Sequence, residues 1–444
     1  MKACLVLAAG WFLAGNPLLA GPLLPEVTVF GEGAQLPESS DVTVLEGKQL
    51  GASGARTLSD ALARGVPGLS VEKRGGREGS GGIIIRGISA DRIQLRVDGV
   101  PRDAASLDSI PIMDVRRVEI LRGAASARYG DRAMGGVILV TTRQGSQEDL
   151  SIAVGLASFG TTIFRLRVPL AWTNGRVRIS FARDESEGGW LFPGQLTEKP
   201  DGSTRLDGSP VRALNTGYLD WRLRISGEVL GLTFSGEYLE RDAGVPGTID
   251  FPTIRAAMRD RTFAGRVQSS ASSLLAEGDE VSVTVSASTR QRQYRDFALY
   301  AREDRYDLGQ AGVSAVWAIA NGQGFELRAG LEGQTAALDA LVAGGTDTTG
   351  RRTRSSLAIY SDVGYRGEDW SINAALRAEG TGGFASRLSP AMGASLQLAR
   401  GVRLSANAGT AWRIPSLDDL FWPATAFAVG NDALRPESSA SVDA

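Results

Sequence analysis

The stretch 122–140, RGAASARYGDRAMGGVILV, decides how the N-terminal part of the chain is interpreted. It places an Arg-Gly pair, a small-residue segment, a Tyr-Gly pair and a Gly-Gly pair before an apolar run that ends at Val140. Glycine permits positive φ angles and close approach of two backbones, so these glycines predict tight turns or tight packing. The apolar run 137–140 consists of strand-forming residues and predicts a strand that is buried on both faces.

Length and composition indicate more than one folding unit and exclude several classes of function. The chain has 444 residues and a formal net charge of -2, so it lacks the basic excess of nucleic-acid-binding proteins. Histidine is absent, which excludes a Ser-His relay, a histidine-ligated metal and a histidine pH switch. Cys4 is the only cysteine, so disulfides and thiolate metal sites are also excluded. We therefore expect no cofactor, no metal site and no catalytic residues.

The first forty residues have the features of an export signal followed by a linker. Within 1–20, Lys2 precedes an apolar stretch, and the small residue Ala20 ends the segment. Gly10 and Pro17 are among the residues that interrupt the apolar stretch, which favours a cleaved signal peptide over a retained membrane anchor. The segment 21–40 then contains a short alternating stretch and a polar linker.

Beyond residue 149 the sequence alternates between apolar and polar residues with a period of two. Valine alternates with Glu280, Ser282 and Thr284, for example, and similar segments recur through the rest of the chain. This repetition is typical of transmembrane β-strands, whereas no apolar stretch after the signal is long enough for a spanning helix. Counting strands of roughly ten residues gives about fourteen of them.

The connections between these strands favour a barrel over a soluble β-sandwich. Longer polar loops are predicted at 185–214, 241–261, 291–306, 335–353 and 414–436. Short turns are predicted between them, at 174–175, 227, 278–279, 321–322, 367–368 and 400–401. A regular alternation of short and long connections is typical of an outer-membrane barrel, with turns in the periplasm and loops outside.

The stretch 122–140 resembles the motif that ends the plug domain of TonB-dependent outer-membrane receptors, RGPxSxxYGxxAxGGVINI. Ala124 stands where the family usually has proline, and Leu139 where it usually has asparagine. The earlier segments LSDAL, VPGLSV, IIIRG, LRVDGVP and VRRVEILRG are similar to the family's plug in order and spacing. The resemblance assigns to the plug motif Gly87, Gly123, Tyr129, Gly130, Gly135 and Gly136.

The resemblance implies an N-terminal α+β plug domain, 41–145, inside a transmembrane antiparallel β-barrel, 146–444. Segments 412–421 and 430–437 resemble the family elements FRxPSLxELF and GNPxLxPE, which in relatives lie well inside the barrel. The family closes its barrel with about 22 strands. Since about fourteen are predicted here, we expect a C-terminally truncated chain with an incomplete barrel.

The implied function is TonB-dependent active import of a scarce large ligand across the bacterial outer membrane. The ligand would be an iron-siderophore, another metal chelate or cobalamin. The TonB box, an extended peptide that pairs with the sheet of TonB, is similar to Glu26, Val27, Thr28, Val29 and Phe30. The expected partners are TonB with its inner-membrane energising complex, outer-membrane lipid and the ligand, but no nucleic acid. A ligand-sensing surface receptor or adhesin on the same scaffold, or a passive porin, is the alternative.

Two arginines of the plug motifs need partners, because a buried guanidinium group is costly when unpaired. Arg86 and Arg122 each interrupt an apolar segment and precede a glycine. In relatives, the arginines at these motif positions pair with carboxylates of the barrel wall, which here implies Glu332 and Asp419. We therefore expect these four residues to lock the plug to the barrel. The alternative is that both arginines are solvated or bind carbonyl groups within the plug.

Overall fold

The computed structural model describes most of the chain after residue 41. The described residues are 42–55, 57–72, 82–123, 125–143, 150–193, 196–198, 204–206, 210–246, 253–296, 302–320, 322–342, 350–399, 402–424 and 428–443. The predicted signal peptide, 1–20, and the predicted TonB box, Glu26 to Phe30, lie outside them. No described helix is long and apolar enough to cross a membrane.

The N-terminal domain, which we call the plug, contains a five-stranded sheet with short helices around it. Its elements are β1 (Val42–Glu46), α1 (Gly47–Ala52), α2 (Leu58–Gly65), β2 (Leu69–Glu72), β3 (Gly82–Ile85), β4 (Ile93–Val97), β5 (Val100–Arg102), β6 (Val115–Arg122), α3 (Ser126–Tyr129) and β7 (Gly136–Thr142). The sheet has the order β1-β6-β7-β4-β5, so β1 and β5 are its edge strands, and β2 pairs separately with β3. Among the described strands of the plug, β4 and β7 pair in parallel and the other pairs are antiparallel.

The centre of the plug follows the sequence patterns closely. The predicted strand 137–140 lies within β7, where Val137, Ile138 and Val140 are buried. The helix α2 begins after Thr57, whose hydroxyl caps it by accepting a hydrogen bond from the Asp60 backbone N–H at 3.3 Å. Burial of an aliphatic side chain contributes roughly 1.5–3 kcal/mol, and the apolar face of α2 packs into this same core.

Most of the described residues after 150 form one antiparallel sheet of fourteen strands, which we call the wall. Its strands are β8 (Ser151–Ala157), β9 (Thr161–Trp172), β10 (Gly175–Ser186), β15 (Tyr218–Val229), β16 (Leu232–Gly244), β17 (Ala257–Ser272), β18 (Asp279–Asp296), β19 (Arg302–Ala320), β20 (Phe325–Leu341), β21 (Arg352–Arg366), β22 (Trp370–Thr381), β23 (Arg387–Ala399), β24 (Val402–Arg413) and β25 (Glu437–Asp443). Each strand pairs with its neighbour in the chain, apart from a loop insertion between β10 and β15. The predicted number of strands is confirmed.

Two smaller features lie in the connections of the wall. The insertion after β10 holds two short strand pairs, β11 (Leu191–Pro193) with β14 (Pro210–Arg212) and β12 (Leu196–Glu198) with β13 (Thr204–Leu206). The connection after β24 holds the helix α4 (Leu417–Phe421). Asp419 and the N-cap residue Ser416 form a reciprocal capping box that starts this helix.

The alternation along the wall separates an apolar outer face from a polar inner face. On β18 the side chains of Val283 and Val285 are 43 % and 56 % exposed, and both face away from the plug. Their neighbours Ser282, Thr284 and Ser286 line a cavity that faces the plug. This arrangement is what a strand between lipid and a polar interior requires.

Two predicted connections were wrong in position. Gly227 is a residue of β15, and the turn to β16 lies three residues later, at Leu230 and Gly231, both of which have positive φ. The predicted loop 291–306 is mostly strand, because β18 continues to Asp296 and β19 begins at Arg302. These strand ends are charged on both faces, so they lack the apolar alternation by which the other strands were recognised.

Candidate functional site

The glycines of the plug motif occupy positions that no other residue fills without strain. Gly130 has a φ of +82°, and a Cβ atom there would lie 2.9 Å from the Arg377 guanidinium group. Gly136 has a φ of +146°, and its Cβ would lie 2.4 Å from the carbonyl oxygen of Leu121. A Cβ on Gly135 would meet the side chain of Ile88 at 2.6 Å. The Tyr-Gly and Gly-Gly pairs are therefore needed for close packing within the plug and against the wall.

The first charged cluster between plug and wall is centred on Glu332 of β20. Its carboxylate binds Arg96 of the plug strand β4 at 3.0 Å and Arg377 of β22 at 2.8 Å. The Arg377 Nε also binds Glu379 at 2.6 Å, and Arg96 donates to the Tyr129 carbonyl at 2.8 Å. The four charged side chains are between 3 % and 12 % exposed, so their charges interact with little screening by water.

The structure gives the four residues of the predicted lock other partners. Arg86 lies 3.5 Å from Asp443 of β25, in a half-exposed ion pair. Arg122 donates to the Thr43 hydroxyl at 2.9 Å and to the Pro67 carbonyl at 3.1 Å, both within the plug. Asp419 binds Arg413 of the wall at 2.7 Å. The plug arginine that binds Glu332 is therefore Arg96 of β4, whose side chain is directed to the wall. The predicted pairing of Arg86 and Arg122 with Glu332 and Asp419 is wrong in its partners.

The second cluster attaches the turn between β4 and β5 to the wall. The Asp98 carboxylate accepts hydrogen bonds from the backbone N–H and the hydroxyl of Thr142, both at 2.7 Å. It also binds Arg224 of β15 at 3.2 Å. The second nitrogen of the Arg224 fork binds Glu237 of β16 at 3.2 Å, and Glu237 is also paired with Arg102 of the plug. Two plug residues and two wall residues therefore share one buried charge network around the end of β7.

The third cluster lies at the outer rim. Glu437 of β25 binds Arg92 of the plug at 2.7 Å and Arg413 of β24 at 3.1 Å. Nearby, the Asp131 carboxylate accepts the backbone N–H of Ile414 at 2.8 Å. The plug helix α3 is held lower on the same side, where Arg128 pairs with Asp362 of β21. The plug is thus attached to the wall at several heights.

The outer end of the plug faces α4 across a group of charged residues. The Tyr306 hydroxyl donates to Asp418 at 3.1 Å. Burial raises the pKa of the Asp418 carboxyl, and the charges of Asp419 and Asp103 raise it further. Burial also raises the pKa of Asp419, but the hydrogen bond from the Ser416 N–H and the Arg413 guanidinium outweigh it, so the net pKa lies below its usual value. Adjacent acids of α4 therefore have opposite tendencies to ionise.

A cavity of about 870 Å³ lies between the plug and the wall strands β16 to β22. Its outer end is lined by Tyr306, Asp418 and Asp103, and it extends to Glu280 near the other end of β18. On the plug side it is lined by the β4 and β5 hairpin and by Glu119 of β6. Burial raises the pKa of the Glu119 carboxyl, although Arg117 partly offsets this effect. The cavity is polar and connects the outer charged group to the lower part of the wall.

Several residues of these clusters were not recognised in the sequence. Arg96 is the only charged residue of β4, and a single charge within an apolar strand is the one feature that could have indicated its role. Arg377, Arg224 and Glu237 lie on the plug-facing side of wall strands, where charged residues are common, and position alone did not distinguish them. The predicted contacts of the TonB box lie outside the described residues and remain a prediction.

The sequence matches two family models that together cover most of the chain. Residues 35–137 match the TonB-dependent Receptor Plug Domain, and residues 189–444 match the TonB dependent receptor-like beta-barrel. The chain belongs to the TonB-dependent receptor family. This places the protein in the outer membrane, in a family of transporters and receptors rather than enzymes, and it confirms the predicted plug and barrel architecture.

Individual relatives of this TonB-dependent receptor are distant. The Vitamin B12 transporter BtuB of Vibrio vulnificus is 25 % identical over 420 residues, which are 90 % of this chain and 63 % of the relative. The hemophore receptor HasR of Serratia marcescens has a TM-score of 0.71 at 14 % identity, over 91 % of this chain and 68 % of that one. The ferric yersiniabactin uptake receptor FyuA of Yersinia pestis has a TM-score of 0.65 at 16 % identity, over 85 % and 65 %. The two structures support the fold alone.

Proposed function

We propose that this receptor imports a scarce ligand across the outer membrane with energy supplied through TonB. The observation that carries the proposal is the attachment of the plug to the wall by buried ion pairs, centred on Glu332 and Asp98. A domain held in this way obstructs the interior, so passage of a large ligand requires work to change its conformation. The predicted TonB box, 26–30, precedes the edge strand β1 and would receive the pull.

A corrinoid is the ligand that we propose first. The reason is the relative named as a vitamin B12 transporter, which matches 90 % of this chain. The chain spans 63 % of the length of that relative, so the ligand stays a proposal that needs a direct test. An iron-siderophore is the second candidate, because a receptor for ferric yersiniabactin shares the fold.

The test is uptake by cells that express this receptor and lack their own cobalamin receptor. We expect uptake of labelled cyanocobalamin, and we expect it to disappear when TonB is deleted. Uptake of a ferric siderophore without any uptake of cyanocobalamin would reject a corrinoid as the ligand but would still support the proposed import function. Uptake of neither ligand family, or uptake that does not need TonB, would reject the proposed function.

The TonB box is tested in the same cells. Val29→Pro removes a backbone N–H that strand pairing with TonB needs, so we expect uptake to be lost while ligand still binds at the cell surface. Val29→Ile keeps the N–H and is the matched control, which should transport normally. Normal uptake by Val29→Pro would contradict the assignment of the box.

A further inference from the structure

One section of the wall faces the plug across a cavity. The clusters described above attach the plug to β15 and β16 on one side, through Arg224 and Glu237, and to β20 on the other, through Glu332. Between these strands, β18 and β19 line the cavity of about 870 Å³. Strands β18 and β19 therefore face the open volume between the two attached sections, and residues of β16, β17 and β20 to β22 complete its lining.

The inner face of this section is polar and carries small side chains. On β18 the residues that line the cavity include Thr284, Ser286 and Ser288, and on β19 they include Gly312 and Ser314. Ser286 and Gly312 are directly opposite each other in the register of the two strands. Polar side chains of this size leave room for a ligand and can exchange hydrogen bonds with it or with water.

The cavity also follows the wall over most of its height. Its lining on β18 runs from Glu280, next to the first residue of the strand, to Arg290. Ten residues of strand correspond to about 33 Å at roughly 3.3 Å per residue, before allowance for strand tilt. Strands of such barrels tilt by roughly 35–45°, so this length corresponds to about 25 Å across a hydrocarbon core of about 30 Å, which is most of its thickness.

Among the plug elements that border this cavity, β5 is the one least integrated in the plug sheet. The edge strand β5 pairs with β4 through three residue pairs, and its middle residue, Pro101, has no N–H to donate. The turn before it, Asp98 and Gly99, is tied to the wall through Asp98, and Arg102 of β5 is tied to Glu237. Besides these ion pairs, the segment 98–102 is held by the Asp98 N–H on the Val140 carbonyl at 2.8 Å, by Thr142 and by the three pairs with β4. No side chain of β5 is fully buried, so displacement of this strand removes no side chain from the apolar core.

On the basis of the import function proposed above, we propose that the ligand crosses along this cavity and that the segment 98–102 is its gate. The helix α3 and the outer rim would stay on the wall during transport, because Arg128 and Arg92 hold them to β21 and β25, away from β18 and β19. Import would then require displacement of one hairpin tip rather than of the whole plug.

The proposed path is tested by obstructing the cavity with a large side chain. Ser286→Trp places a large side chain in the cavity, whereas Val285→Trp, on the adjacent residue, directs the same side chain to the lipid face. We expect Ser286→Trp to abolish uptake of labelled cyanocobalamin while its binding at the cell surface is unchanged. Val285→Trp should retain both binding and uptake. Normal uptake by Ser286→Trp would overturn the proposed path.

The gate is tested without any ligand, through sensitivity of the cells to vancomycin, which an intact outer membrane excludes. Glu237→Gln combined with Glu332→Gln weakens the ties on both sides of the gate, and we expect it to increase sensitivity to vancomycin. Addition of Ser286→Trp to this double variant should restore resistance. Asp362→Asn weakens the tie of α3 instead and should leave the cells resistant.

The two tests separate failure of the path from failure of the proposed function. If the wild-type receptor takes up no cyanocobalamin, the ligand proposal fails and the vancomycin test still decides the path. Unchanged resistance of the Glu237→Gln and Glu332→Gln double variant would overturn the gate. Entry of vancomycin that persists after Ser286→Trp, or equal sensitivity with Asp362→Asn, would show that the plug moves as a whole and would also overturn it.

Discussion

Replacement of Glu332 by alanine should loosen the plug more than replacement of any one arginine that binds it. Arg96 and Arg377 are 12 % and 3 % exposed, and both bind this single carboxylate, which is 7 % exposed. Removal of one member of a buried ion pair costs roughly 3–5 kcal/mol, because the remaining charge stays buried without its partner. Glu332→Ala leaves Arg96 without its carboxylate and Arg377 with Glu379 alone, so we expect about 5 kcal/mol, whereas Arg96→Ala leaves Glu332 bound to Arg377 and should cost about 3 kcal/mol.

The assay is urea-induced release of the plug in the detergent-solubilised receptor, followed with a fluorescent label on the plug. A double-mutant cycle of Arg96→Ala with Glu332→Ala should give a coupling energy of roughly 1–3 kcal/mol. The matched control is the cycle of Arg86→Ala with Glu332→Ala, which should be additive because Arg86 lies beside Asp443. Additivity in the first cycle, or coupling of the same size in the second, would refute the reasoning.

Two further pairs of substitutions test the plug motif and the outer loop. Gly130→Ala should destabilise the plug by roughly 1–3 kcal/mol in the same urea assay, since it combines a positive φ with a clash against Arg377. Gly87→Ala has the same φ of +82° and open space around it, so it should cost only about 1 kcal/mol, and equal losses would contradict the role of Arg377. Because the pKa of Asp419 is lowered, its ionised form stabilises α4 at neutral pH, and this stability is lost as the pH falls through the lowered pKa. Asp419→Asn should therefore reduce hydrogen-exchange protection of α4 at about pH 7. Asp418→Asn should not, because the pKa of the Asp418 carboxyl is raised and the neutral form is favoured. A larger loss of protection in Asp418→Asn than in Asp419→Asn would refute the stabilising role of the Asp419 carboxylate.

The fold could be predicted from the sequence because its signals are local and repeated. The alternation along strands such as β18 repeats through the wall, and β7 is a continuous apolar run between glycines. The strand ends were predicted less well, since the ends that extend beyond the apolar band, such as 291–296, are charged on both faces. Periodic hydrophobicity indicates which residues contact lipid or an apolar core. It cannot locate strand ends that contact neither.

The partners within the site could not be predicted for a different reason. A buried arginine can be recognised as needing a carboxylate, but the sequence does not tell which carboxylate lies within reach. Glu332 was expected to bind a plug arginine, and it does so through Arg96 rather than Arg86. The choice depends on how the plug is rotated within the wall, which is set by the packing of many residues at once. The orientation of the plug within the wall therefore cannot be predicted from local sequence patterns.

The position of β1 determines the order in which a mechanical load reaches the rest of the plug. This edge strand has five residue pairs with β6, and Leu45 is its one fully buried aliphatic side chain, which contributes roughly 1.5–3 kcal/mol. The described wall clusters are carried by other elements of the plug, including Arg96 on β4 and Arg128 on α3. A pull on the chain before Val42 therefore first tensions β1 and the bond between Thr43 and Arg122. Strand β1 would then separate from β6 at low force, and the ion pairs would stay intact until the force acts on β6 itself.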